Sequence, residues 1–155
     1  MKFLYFLVIF LLFVFSACNK QPKACIEVSP NLTAYVFDTL TLASCSENAE
    51  SFEWEIELPL DSLNTSNEIL LDKIIYKSWA KPGEFDVSLT AVSAKGNKQD
   101  KTTEVVIVKD LCYQCVNDLG AEYFECASVY LTKKEFDDQL NFWLSNGYTC
   151  VTSID

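Results

Sequence analysis

Histidine and arginine are both absent from this 155-residue chain, whose 12 basic residues are all lysines set against 22 Asp and Glu. Without imidazole there is no His-based catalytic triad and no imidazole metal ligand; without guanidinium there is no planar clamp for phosphate. Glycine is scarce, with 4 scattered residues, so no glycine-rich loop exists to cradle a phosphate. The formal charge of −10 argues against nucleic acid as a partner, because gripping its backbone requires basic side chains to neutralise phosphates. Internal repeats and low-complexity stretches are also missing. What the chain does have in quantity is cysteine, with 7 residues. That density belongs to an oxidising compartment, where disulfides persist.

The N-terminus reads as a leader. Lys2 precedes an unbroken apolar run from Phe3 to Phe15, followed by Ser16-Ala17-Cys18. A charged start, a short apolar stretch and a small-residue cleavage site make a secretory signal peptide over residues 1–17. A membrane-spanning anchor needs about 18 or more apolar residues, and the run falls short of that. Phe15-Ser16-Ala17-Cys18 also resembles a bacterial lipobox, with Phe where Leu is commonest. The resemblance implies cleavage before Cys18 and acylation of its sulfur and amine, with residues 18–23 as a lipidated tether. Three acyl chains at about 0.8 kcal/mol per buried CH₂ give lasting attachment to a membrane. Asn19 as the second mature residue implies delivery to the outer membrane, facing the periplasm or the cell surface. With Cys18 lipidated, Cys25, Cys45, Cys112, Cys115, Cys126 and Cys150 remain, an even set that fits three disulfides.

Residues 24–109 carry period-two patterns, the mark of half-buried strands. Thr39 to Leu42 alternates, as do Ser51 to Glu57 and Phe85 to Ala91, and Lys98 to Val108 closes with a β-branched run. Turn residues separate them at Ser29-Pro30-Asn31, Ser46-Glu47-Asn48, Lys81-Pro82-Gly83 and Lys95-Gly96-Asn97. Short strands at this spacing predict a mainly β fold, an antiparallel sandwich with Trp54 at its centre. Cys25 and Cys45 flank the first strands and are expected to pair, closing a loop worth about 3 kcal/mol.

Three runs give this region a likeness to a known module: Ser51-Phe52-Glu53-Trp54-Glu55-Ile56, then Ala80-Lys81-Pro82-Gly83-Glu84-Phe85-Asp86-Val87-Ser88-Leu89-Thr90-Ala91, then Gly96-Asn97-Lys98. It resembles a PKD domain, the immunoglobulin-like module of bacterial envelope proteins. Two departures stand out. Leu58 to Leu63 replaces the family's Gly-Asp-Gly turn, and Trp79 stands where a tyrosine usually precedes the Pro-Gly turn. The resemblance implies binding, adhesion or spacing, with glycan or protein partners, and not chemistry. Glu53, Glu55 and Glu57 share one strand face and invite an acid–base or cation-binding reading. An exposed strand face, however, lacks the shielding that raises a general acid's pKa, so a solvated face is expected.

Residues 110–155 form a separate, aromatic-rich segment. Asp118-Leu119-Gly120 reads as a turn between strands at about Leu111 to Asn117 and Glu122 to Ser128. Thr132 with Glu135 predicts a capping box, and Leu131 with Phe136 a hydrophobic staple. Phe136, Leu140, Trp143 and Leu144 fall on one helical face, Asn146-Gly147 ends the helix, and Tyr148 to Thr152 reads as a last strand. So small a ββαβ unit needs disulfide support. Cys112-Tyr113-Gln114-Cys115 raises the alternative of a periplasmic thiol–disulfide oxidoreductase, but such enzymes set the motif at a helix N-terminus and oppose it with a cis-proline. The last proline is Pro82. A Cys₄ zinc site is disfavoured by the wide spacing of Cys126 and Cys150. Four cysteines allow three pairings. Positions i and i+3 on a strand face opposite ways, which disfavours Cys112–Cys115. Of the two pairings left, Cys115–Cys126 across the hairpin with Cys112–Cys150 is preferred.

Asp38-Thr39-Leu40 and Asp61-Ser62-Leu63 resemble the O-glycosylation acceptor of Bacteroidota-type bacteria, which implicates Thr39 and Ser62. Asn31-Leu32-Thr33 and Asn64-Thr65-Ser66 fit the N-glycan acceptor, a modification uncommon in bacterial hosts. The expectation is therefore a non-enzymatic envelope lipoprotein without cofactor or metal, held to a membrane by its lipid.

Overall fold

Period-two alternation becomes strand wherever one set of side chains can be buried. The computed structural model describes residues 20–57 and 68–154. Strands β1 (Ile26–Ser29), β3 (Leu40–Ser44) and β6 (Ile74–Lys77) form an antiparallel sheet in the order β1-β3-β6. Strands β2 (Thr33–Tyr35), β4 (Ser51–Ile56), β5 (Glu68–Leu70), β7 (Gly83–Val92) and β8 (Gln99–Lys109) form a second sheet, ordered β2-β8-β7-β4-β5. Its β2 edge runs parallel to β8, while β8-β7, β7-β4 and β4-β5 are antiparallel.

The expected alternation on β4 is what the sheet uses. Trp54 and Ile56 are fully buried, and Glu53 and Glu57 point to solvent. Trp54 lies opposite Leu89, which joins Val87 and Val106 in the same layer. From the other sheet come Leu40, Leu42 and Ile75, so the two inward faces share one core. Each such side chain contributes about 1.5–3 kcal/mol on burial. Gly83 opens β7 at φ +153, and a Cβ there would meet the Phe85 ring at 3.3 Å. That ring stacks on Trp79 at 5.5 Å, which explains why this turn uses glycine.

Residues 21–25, read from the sequence as mostly tether, lie on the body instead. Pro22 is fully buried. Gln21 donates to the Gln99 carbonyl at 2.9 Å, Lys23 pairs with Glu47 in a β-bridge, and the Ala24 N–H donates to Asp100 at 2.8 Å. Cys25 is bonded to Cys45, as expected.

One residue, Asp110, separates β8 from β9 (Leu111–Asn117). With β10 (Glu122–Cys126) and β11 (Tyr148–Ile154), β9 makes an antiparallel sheet ordered β10-β9-β11. A 3₁₀ turn (Ala127–Val129) and helix α1 (Lys133–Ser145) connect β10 to β11. The Asp110 carboxylate accepts the backbone N–H and the hydroxyl of Ser128, and Lys81 donates to the Ser128 carbonyl at 2.7 Å. Ala127 and Phe136 enter the same buried cluster as the β1-β3-β6 and β2-β8-β7-β4-β5 sheets, so the C-terminal module is seated on the Lys81–Lys109 end.

The capping box forms as the sequence predicts: Thr132 accepts from the Glu135 N–H and Glu135 accepts from the Thr132 N–H. The staple does not. Leu131 is 83% exposed, and Tyr130 packs against Phe136 in its place at 5.7 Å. The extended backbone at Tyr130 carries that ring back over the helix, an option the i, i+5 pattern alone does not reveal.

Candidate functional site

The cysteines define the scaffold of the C-terminal module, and here the expected pairing is corrected. Cys112 is bonded to Cys126 and Cys115 to Cys150. The cause is register: the hairpin closes with Val116 opposite Glu122, and four steps on Cys112 faces Cys126. On the other side of β9, Cys115 faces Cys150. Cys112 and Cys115, at i and i+3, lie on opposite faces of the sheet, and each takes the neighbour directly across from it. Both are 2% exposed and both lie within a strand, away from any helix N-terminus. Asp110, Cys112 and Cys126 cluster closely, but two sulfurs joined in a disulfide have no thiolate to offer a metal.

Around the Cys115–Cys150 bridge the sequence builds a surface of rings. Tyr123 lies opposite Cys115 on β10, and Tyr148 begins β11 two residues before Cys150, so alternation puts both on the helix side. α1 lays Trp143 over Tyr123 with centroids 4.1 Å apart and planes 23° from parallel. Tyr148 meets both rings edge-on, at 5.5 Å from Tyr123 and 5.2 Å from Trp143. Phe142 adds a further edge contact on Trp143 at 5.1 Å. Offset-stacked and T-shaped pairs at these distances are the favoured aromatic geometries, each worth about 0.5–1.5 kcal/mol beyond area. The array is open to solvent: Tyr123 is 44% and Phe142 52% exposed.

Beneath it, Glu125 gathers the polar ends. It accepts from the Tyr130 hydroxyl at 2.7 Å and from the Trp143 Nε1 at 3.5 Å. Burial, then the hydrogen bond to Glu125 and its negative charge, push Tyr130 up to about 12. A cavity of about 10 Å³ lies between Tyr113, Glu125, Leu140 and Trp143, no larger than one water. The site is thus a rigid surface with little hollow, suited to contact and not to enclosing a small molecule. Sequence reading found Trp143 through its helical face; Tyr123 and Tyr148 were signalled only by strand register relative to the cysteines.

The glutamate face lies elsewhere. Glu55, Glu57, Asp86, Ser88 and Lys101 border an open depression of about 310 Å³ on the outer side of the five-stranded sheet. Lys101 reaches Glu55 at 2.8 Å, an exposed ion pair of small energetic weight. Thr39 is exposed in the connection between β2 and β3, where the neighbouring Asp38 carboxylate accepts the Tyr35 N–H at 3.1 Å. Asn31 is exposed and caps the Thr33 N–H at 2.7 Å. Cys18, the leader, Ser62 and Asn64 lie outside the described residues. In comparisons with known proteins, no family model and no curated sequence matches the chain.

Proposed function

We propose that this chain is a non-enzymatic lipoprotein of the bacterial cell envelope, an immunoglobulin-like, PKD-like sandwich that carries a disulfide-braced binding surface for a glycan or protein ligand. The observation that carries the reading is the half-exposed Tyr123–Trp143–Tyr148–Phe142 array, with Tyr123 and Phe142 outermost, on a scaffold locked by Cys112–Cys126 and Cys115–Cys150. Rings supply large, rigid contact area at low entropic cost, the reason they dominate binding hot spots. Three disulfides support an oxidising location, and the two-sheet core around Trp54 supports the PKD likeness. The oxidoreductase alternative draws no support from Cys112 and Cys115, each bonded to a different partner.

Two probes test it on the acylated protein: purified envelope polysaccharide and an envelope protein extract. Capture of one class that falls at least about tenfold in Trp143→Ala, with the midpoint of unfolding near wild type, is the expected result. Equal capture by Trp143→Ala removes the aromatic surface from the reading. Silence against both probes leaves only a spacer role. Intact-mass analysis bears on the alternative: free thiols at Cys112 and Cys115, together with insulin reduction, would sink the non-enzymatic reading.

A further inference from the structure

The way residues 21–25 are pinned fixes which end of the molecule meets a membrane. Gln21 bonds to Gln99, its carbonyl accepts from the Asn48 amide at 3.4 Å, and Pro22 is buried beneath them. The Cys25–Cys45 disulfide locks the same corner. These residues sit at the end of the two sandwiched sheets marked by the Ser46–Asn48 and Ser93–Lys98 turns. The C-terminal module is seated at the opposite end, and β8 runs from one to the other, Gln99 to Lys109. At 3.3 Å per residue that separation is roughly 35 Å.

Only Asn19 and Lys20 stand between Cys18 and the first pinned residue. Fully extended, the step from Cys18 to Gln21 spans at most about 10 Å. The polar layer of one leaflet takes up about 5–7 Å of that. Charge fits the same placement. Lys20, Lys23, Lys95 and Lys98 crowd this end, facing Glu47, Glu50 and Asp100, in a chain whose formal charge is −10. The carboxylate of Asp100 is turned inward to the Ala24 N–H. The broad outer face of the five-stranded sheet instead sets Glu53, Glu55, Glu57, Glu84 and Asp86 against only Lys101 and Lys109 among the described residues, a net negative face that an anionic surface repels.

We propose that the end of the sandwich bearing Gln21, the Ser46–Asn48 turn and the Ser93–Lys98 turn is a lipid-facing surface, seated on anionic headgroups, with the aromatic module held outward at the far tip. This rests on acylation of Cys18. At a Debye length of about 8 Å in physiological salt, the lysines of this end lie within reach of headgroup charge while Lys133 and Lys134 do not.

The test is lysine labelling by a water-soluble amine-reactive ester, read residue by residue by mass spectrometry. The acylated full-length protein is placed on phosphatidylethanolamine–phosphatidylglycerol vesicles. The reference is the same protein with a flexible Gly-Ser insert of about twelve residues between Asn19 and Lys20, on neutral phosphatidylcholine vesicles. Labelling of Lys95 relative to Lys133 is expected to fall at least about threefold on the anionic vesicles. An unchanged ratio with lipid present on Cys18, or protection of Lys133 in place of Lys95, overturns the placement alone. Absence of lipid on Cys18 overturns the anchor and the placement with it.

Discussion

Trp54 and Trp79 share one buried core and differ in what their indole N–H meets. Trp54 donates to the Asp72 carbonyl at 2.8 Å; the buried Nε1 of Trp79 has no partner among the described residues. An unsatisfied buried donor costs about 1–3 kcal/mol, whereas a made bond contributes about 1. Trp54→Phe is therefore expected to lose about 2–4 kcal/mol, through the lost bond and the cavity, and Trp79→Phe about 2 kcal/mol less. Urea midpoints of the two variants check the difference; equal losses would mean that the Trp79 N–H is satisfied. Tyr130 offers a titration at the same scale. Its folded phenol holds the proton to about 12, while an unfolded tyrosine loses it near 10. The proton-linked stabilisation is thus complete below pH 10 and fades as pH climbs from 10 towards 12. Absorbance at 295 nm should show one tyrosine titrating last, and Glu125→Gln should bring it part of the way back, leaving the contribution of burial.

At the scale of elements, the helix and the bridges make separable contributions. Thr132→Ala removes the acceptor for the Glu135 N–H and is expected to cost about 1 kcal/mol, read from the denaturation midpoint. The bridges differ in the loops they close, with separations of 14 residues for Cys112–Cys126 and 35 for Cys115–Cys150. Chain entropy assigns them about 3.0 and 3.8 kcal/mol, so Cys115→Ala with Cys150→Ala should lower the melting temperature more than the other double replacement. Scanning calorimetry distinguishes them, and the reverse order would show that packing of Cys112 beneath Asp110 outweighs loop entropy. What could be read ahead of the structure follows the same division. β4, β7 and β9 were legible because alternation, turn residues and burial agree on them. β5 and β6 were not: Ile74, Ile75 and Tyr76 are all bulky, so polarity does not say which faces inward, and only the pairing of Ile75 with Leu42 decides it. Strand faces exclude Cys112–Cys115, but the choice between the two remaining pairings lies in the hairpin register, which composition and face patterns leave open. The aromatic site was half legible, since Trp143 belongs to a helical pattern while Tyr123 and Tyr148 depend on register across three strands.

For the whole molecule, Cys18→Ser supplies the broadest prediction. On the proposed anchor, the variant keeps the leader and Ala17 but loses the acyl acceptor; it should remain uncleaved and incorporate no labelled fatty acid. Normal maturation with normal label would remove the anchor and leave Cys18 as an odd thiol. Beyond location, the pinning of residues 21–25 and of β2 has a consequence in time. β2 lies beside β8, Ala34 opposite Val108, and Ala24 must wait for Asp100, 76 residues along the chain. Contacts of such long sequence separation are slow to form, because the closure entropy of the intervening chain comes before any reward. A polypeptide emerging N-terminus first would pair β1 with β3 early but hold β2 as an unpaired edge until β8 had followed it out. Completion of the five-stranded sheet is thereby tied to the late arrival of a single strand, and the short-range hairpin of β9 and β10 is free to close as soon as it appears.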